Sequence, residues 1–246
     1  MKTIIEVCCG SVDDVIQSKN AGADRVELNS NLFHGGLTPT IGALLTAKEL
    51  TGIKIMTMVR PREGGFNYTD AEFKTAVADA RQLIKNGSDG LVFGFLNDDG
   101  TINAERCKII REICGDKEAV FHRAIDVVPD WKETIDILCE LGVTRILTSG
   151  QQPSVFNGMK TIKEMIAYAG DRIQILPGAG IRLENVSEII EKTGCSQVHV
   201  ATFKSCYDMS TQYNSKIYFG GMLFPPEDKY NMIDGTYISR ICDTVK

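Results

Sequence analysis

Seven glycines recur along the chain at intervals of 30, 35, 28, 27, 28 and 24 residues: Gly22, Gly52, Gly87, Gly115, Gly142, Gly170 and Gly194. Each ends a helical pattern and precedes a short apolar run, such as Arg25-Val26-Glu27-Leu28 after Gly22 or Arg145-Ile146-Leu147-Thr148 after Gly142. Glycine tolerates the left-handed conformation that stops a helix, after which the chain can enter a buried strand. Seven such junctions plus an opening strand, Thr3 to Val7, predict eight strands. Helix starts fall between them. Ser11 with Asp14 and Thr69 with Glu72 have capping-box spacing, Thr38-Pro39 puts proline at a first helical position, and Asn103 and Asp130 suit N-caps. Residues 71–84 carry an apolar face through Phe73, Val77, Ala80 and Ile84, and 234–245 reads as a closing helix. Eight strands alternating with eight helices predict an α/β chain folded as one (β/α)8 barrel over residues 1–246. A doubly wound sheet fits less well, because Cys8-Cys9-Gly10-Ser11 after strand one is not a G-x-G-x-x-G turn. The stretch from Phe203 to Ile233 exceeds an ordinary βα loop and is expected to cover the barrel mouth.

Charge and cysteine content narrow the function classes. Against 27 Lys and Arg stand 32 Asp and Glu, a net charge of −5. The longest basic stretch is Arg60-Pro61-Arg62, too little to neutralise a phosphate backbone, so nucleic acid is not expected as a partner. No apolar run reaches the ~20 residues of a membrane helix, and Glu6 interrupts the first one too early for a signal peptide. A cytoplasmic protein is expected, with no membrane partner. Its eight cysteines should be thiols, and without a Cys-x-x-Cys pair they do not spell a structural zinc site.

Sites of this fold form at the C-terminal ends of the strands. Side chains alternate faces along a strand. With Val7, Val26, Leu28, Val198 and Val200 facing the helices, Glu6, Cys8, Glu27, Asn29 and His199 face inward, and His122 joins them from strand five. Burying so many ionisable groups is costly unless they pair. Arg60 or Arg123 is the cation expected to neutralise Glu6 and Glu27 in a purely structural network. The convergence of the whole set at one mouth favours a functional pocket. The turn Pro177-Gly178-Ala179-Gly180 after strand seven can offer backbone amides to a phosphate, with Gly178 and Gly180 as its contacts, or it can be a tight turn alone. Cys107, Cys114, Cys139 and Cys242 read as small core residues.

Several stretches together resemble the CutC copper-homeostasis family: Glu6-Val7-Cys8, Ala23-Asp24-Arg25-Val26-Glu27-Leu28, Gly35-Gly36-Leu37-Thr38-Pro39 and Val59-Arg60-Pro61-Arg62. The series continues through Phe121-His122-Arg123-Ala124-Ile125-Asp126, Leu147-Thr148-Ser149-Gly150 and Pro177-Gly178-Ala179-Gly180-Ile181 to His199. The resemblance implies a TIM barrel and a role in copper binding or homeostasis in the cytosol. It also implies copper ligation by cysteines at the ends of strands one and two. Cys8 matches the first position; the second is Asn29, and an amide is a poor substitute for a thiolate toward Cu(I).

Two readings follow. One is a copper-binding protein using Cys8, with Cys9, Met56 and Met58 as further soft atoms. The other is an enzyme or binder for a small anionic or phosphorylated metabolite. In it Glu6 and Glu27 act as acid and base, His122 and His199 carry protons, Arg60 clamps the anion, and Asp126 adds a carboxylate at the end of strand five. A hard divalent metal between the carboxylates and histidines is a variant of the second. Partners are thus a copper ion or a small molecule, and a homo-oligomer is compatible with either.

Overall fold

The computed structural model describes residues 2–220 and 227–246. Eight parallel strands form one sheet in the order β7-β6-β5-β4-β3-β2-β1-β8. They are β1 (Ile4–Cys9), β2 (Arg25–Leu28), β3 (Lys54–Met58), β4 (Gly90–Phe93), β5 (Glu118–Phe121), β6 (Arg145–Thr148), β7 (Gln174–Pro177) and β8 (Gln197–Val200). β7 and β8 run side by side, so the sheet is a nearly closed barrel. Around it lie α1 (Val12–Asn20), α2 (Ile41–Thr51), α3 (Asp70–Lys85), α4 (Ala104–Cys114), α5 (Trp131–Glu140), α6 (Val155–Ala169), α7 (Val186–Thr193) and α8 (Gly235–Val245). This is the TIM-barrel architecture the glycine spacing predicts.

All seven junction glycines have positive φ, between 53° and 94°. Gly52 and Gly194 are left-handed C-caps of α2 and α7. Thr69 closes a full capping box with Glu72 at the start of α3. The predicted start at Thr38-Pro39 falls two residues early: Thr40 is the N-cap of α2, and its hydroxyl accepts the Ala43 amide. Asp14 does not return a capping-box bond to Ser11. Its carboxylate accepts the amides of Gly10 and Ile233 instead, tying α1 to the end of the chain.

The main core lies between sheet and helices. Ile5, Val7, Val26, Leu28, Phe93 and Phe121 are fully buried there. Inside the barrel the two halves differ. Met56, Met58, Val92 and Val120 make a small apolar cluster on the β3–β5 side. Elsewhere in the interior Glu6, Arg25, Glu27, Arg145 and His199 are buried, and that half carries the candidate site.

β9 (Phe203–Tyr207) and β10 (Lys229–Ile233) form a separate antiparallel hairpin. The expected mouth cover falls partly on 221–226, outside the described residues. In the described remainder Phe203 and Asn231 border a cleft beside Gly10 and Ser11. Asp14 accepting the Ile233 amide ties the hairpin to α1. Among the described residues no helix is long and apolar enough to cross a membrane.

Candidate metal centre and central cavity

Strand register builds the site in two layers. In the lower layer Glu6 stands opposite Arg25 on β2 and His199 on β8. Its carboxylate receives the Arg25 Nε–H at close range, lies 3.7 Å from Arg145, and bonds His199 Nδ1 at 2.8 Å. Arg145 also reaches Glu118 at 2.6 Å. Burial works against the Glu6 charge, but Arg25, His199 and Arg145 outweigh it and hold the carboxyl well below the usual range. The charge on Glu6 is therefore neutralised by Arg25 and Arg145, not by the expected Arg60 or Arg123. Both missed arginines begin their strands and share the inward parity of Glu27 and Leu147; that parity was the available signal.

In the upper layer Cys8 stands opposite Glu27. The Cys8 thiol donates to Glu27 Oε1 at 3.8 Å, and Asn29 Nδ2 donates to the same oxygen at 2.9 Å and to Cys8 Sγ at 3.6 Å. A ligand atom from each of Cys8, Glu27 and His199 lies within 4.8 Å of the others. Glu27 Oε2 is buried without a partner among the described residues. Burial, and then Glu27, raises the Cys8 thiol well above its ordinary value. Burial raises Glu27, with His199 opposing. Burial would lower His199, but Glu27 and Glu6 together raise it. Cys9, the next residue, points the other way: its thiol contacts Ser18 of α1, as strand alternation requires.

These residues border a cavity of about 350 Å3, which Met58, Arg60, His122 and Arg123 also line. Of the sequence candidates, Cys8, Glu27, Arg60, His122 and His199 meet there, and Glu6 lies one layer beneath. Arg60 is not a free anion clamp. Its two terminal nitrogens donate to the carbonyls of His34, Gly36 and Gly64, so its fork holds loops together. Asp126 is not in the cavity. β5 ends at Phe121, and a 3-10 turn over Arg123–Val127 swings the carboxylate toward β6. There it accepts from Thr148 Oγ1, Ser149 and the Gln151 amide, and pairs with Arg123 at 2.7 Å, a loop-fastening role. Met58 faces the cavity while Met56 stays in the apolar cluster below. Gly178 packs against His199 and Leu147, and its amide bonds the Thr148 carbonyl, so it is not a free phosphate contact. Ala179 lines the cavity in the left-handed region, at φ 78°.

The family model for CutC matches residues 3–204. A CutC family protein of Treponema denticola is 52% identical over 229 residues, 93% of each chain. The human copper homeostasis protein cutC homolog is 38% identical, covering 97% of this chain and 87% of its own. A crystal structure of CutC from Streptococcus agalactiae superposes with a TM-score of 0.77 at 35% identity, over 81% of this chain and 98% of that one. With most of its length matched by the family model and by relatives of this similarity, the chain belongs to the CutC family.

Proposed function

We propose that this chain serves copper homeostasis in the cytosol by holding one copper ion between Cys8, Glu27 and His199. The observation that carries the reading is the convergence of a thiol, a carboxylate and an imidazole, with Glu27 Oε2 buried and unpartnered. A buried carboxylate oxygen without a donor is costly, and a cation supplies what it lacks. Thiolate and imidazole are both good copper ligands. The relatives named for copper homeostasis support the choice of copper over other ions that accept such a set.

The surrounding residues act as supports. With Nδ1–H donated to Glu6, His199 keeps its Nε2 lone pair for the ion and its ring fixed in orientation. Asn29 donates to both Cys8 and Glu27 and so aligns two ligands without being one. That is the physical consequence of an amide where the family resemblance implies a second cysteine. Replacing Asn29 with Cys would put a second thiolate beside Cys8, which favours Cu(I).

The test is Cu(I) and Cu(II) affinity by competition with chromophoric chelators for wild type, Cys8→Ala, His199→Ala and Asn29→Cys. We expect 1:1 binding, weakened at least about tenfold by either alanine, the loss of one ligand's worth of affinity. Asn29→Cys should tighten Cu(I) specifically. Equal affinities in wild type and Cys8→Ala would remove the assignment.

A further inference from the structure

The two walls of the cavity differ in kind. Cys8, Glu27 and His199 offer ligand atoms on the β1, β2 and β8 side, whereas the β5 and β7 side presents donors with nothing to donate to. His122 is 4% exposed, and its Nδ1 accepts the Ala124 amide at 3.1 Å. That nitrogen therefore carries no proton, and in the neutral ring the proton sits on Nε2, which is buried without a partner among the described residues. The ring is neutral because burial, then Arg60 and Arg123, push its pKa down to about 3.

Arg123 follows in the chain and lines the same cavity with its side chain 44% exposed. Its Nε and Nη2 are held by Asp126 and Ser149 at 2.7 and 2.8 Å, and its Nη1 has no partner among the described residues. From the end of β7, Ala179 contributes a backbone held at positive φ. Such a conformation is costly for a residue with a β-carbon and tends to persist where a site requires it. Neither its amide nor that of Gly180 pairs with an acceptor among the described residues.

A neutral imidazole N–H, one arginine arm and exposed turn amides at the end of β7 form a donor set for oxygens bearing partial or full negative charge. A single ion on the opposite wall leaves most of a 350 Å3 cavity unfilled. That volume falls in the range of about 300–1,000 Å3 typical of small-ligand sites. We propose that the wall formed by His122, Arg123 and Ala179, with the adjoining Gly180 amide, is an anion subsite that takes the carboxylate or phosphate of a small metabolite. It is separate from the metal-ligating trio and does not depend on it.

The experiment uses the full-length protein stripped of metal with a chelator and then exchanged into chloride buffer. Inorganic phosphate and acetate are titrated separately while backbone amide and imidazole 15N–1H shifts are followed. Saturable shifts at Ala179, Gly180 and His122 Nε2 are expected. Phosphate alone giving them assigns a phosphate ligand, and acetate alone a carboxylate. Arg123→Gln should weaken the response about tenfold, the loss of one charge-assisted hydrogen bond. Its other amide shifts report whether the fold is kept, and the wild-type shift map stands even if that variant does not fold. Absence of saturable shifts with both probes overturns the proposal, as does equal affinity in a folded Arg123→Gln. Copper titration of the same sample reads the trio independently, so failure at one wall is distinguishable from failure at the other.

Discussion

Replacing His122 with Asn separates the buried imidazole's proton chemistry from its structural bond. His122 caps the 3-10 turn after β5 by accepting the Ala124 amide. Asparagine places a side-chain oxygen at a similar reach and is a favoured capping residue, so the cap is retained while titration is abolished. The native ring is held at about 3 rather than the ordinary 6.5 by burial and by the nearby guanidinium groups of Arg60 and Arg123. In the unfolded chain the same histidine protonates near 6.5, so between these values the unfolded state binds more protons and folding stability falls with falling pH. The contribution of His122 is thus complete above 6.5 and lost progressively toward pH 3. One pKa unit corresponds to about 1.4 kcal/mol, so lowering the pH from 7 to 4 should cost the wild type about 3 kcal/mol through this residue alone. Carboxylates titrate in the same range, so the quantity to measure is the difference in unfolding free energy between wild type and His122→Asn. Urea unfolding in chloride buffers at several pH values supplies it. That difference should move by about 3 kcal/mol against the wild type between pH 7 and pH 4. A difference independent of pH would show that His122 is not held neutral by burial, and the Nε2–H tautomer argued above would fall with it.

The lower layer predicts that Glu6→Gln destabilises by about 3–5 kcal/mol, because Arg25 and Arg145 lose the charge that compensates their burial; pairing it with Arg25→Met should recover part of the loss in denaturant unfolding. Gly158 lies inside α6, where an added Cβ would sit 1.9 Å from the Ser149 carbonyl oxygen, so Gly158→Ala should cost about 3 kcal/mol or more in thermal or urea unfolding. Gly65, with nothing within 4 Å of the added carbon, is the control expected to change little. Thr69→Ala removes the hydroxyl that accepts the Glu72 amide while leaving the Thr69 amide bonded to the Glu72 carboxylate, and should cost about 1 kcal/mol by the same assay, with the barrel otherwise intact by circular dichroism.

The barrel was legible because its signals are local. A glycine at positive φ after each helix and an apolar run behind it are properties of neighbouring residues, and repetition every 24–35 residues converts them into a count of strands. Strand parity was equally local, which is why Cys8, Glu27 and His199 could be turned inward from the sequence. What parity cannot supply is height and partner. Glu6 and Cys8 share a face but stand in different layers, one among arginines and the other beside Glu27. The distance between layers is fixed by the stagger of strands that lie far apart in sequence.

The same limit explains the reassigned residues. Arg60 and Asp126 sit at strand ends, where direction depends on the following turn and not on alternation. Arg60 folds back onto the carbonyls of two loops, and Asp126 is carried away by a 3-10 turn onto the end of β6. The pairing of β9 with β10 and the bond from Ile233 to Asp14 of α1 were likewise not legible, because they join residues far apart in sequence. The sequence alone determined the number of barrel strands, the faces of their side chains and the family. Only the tertiary structure decided which buried charges meet, because long-range pairing sets the energy of a charge while local pattern sets only the side on which it emerges.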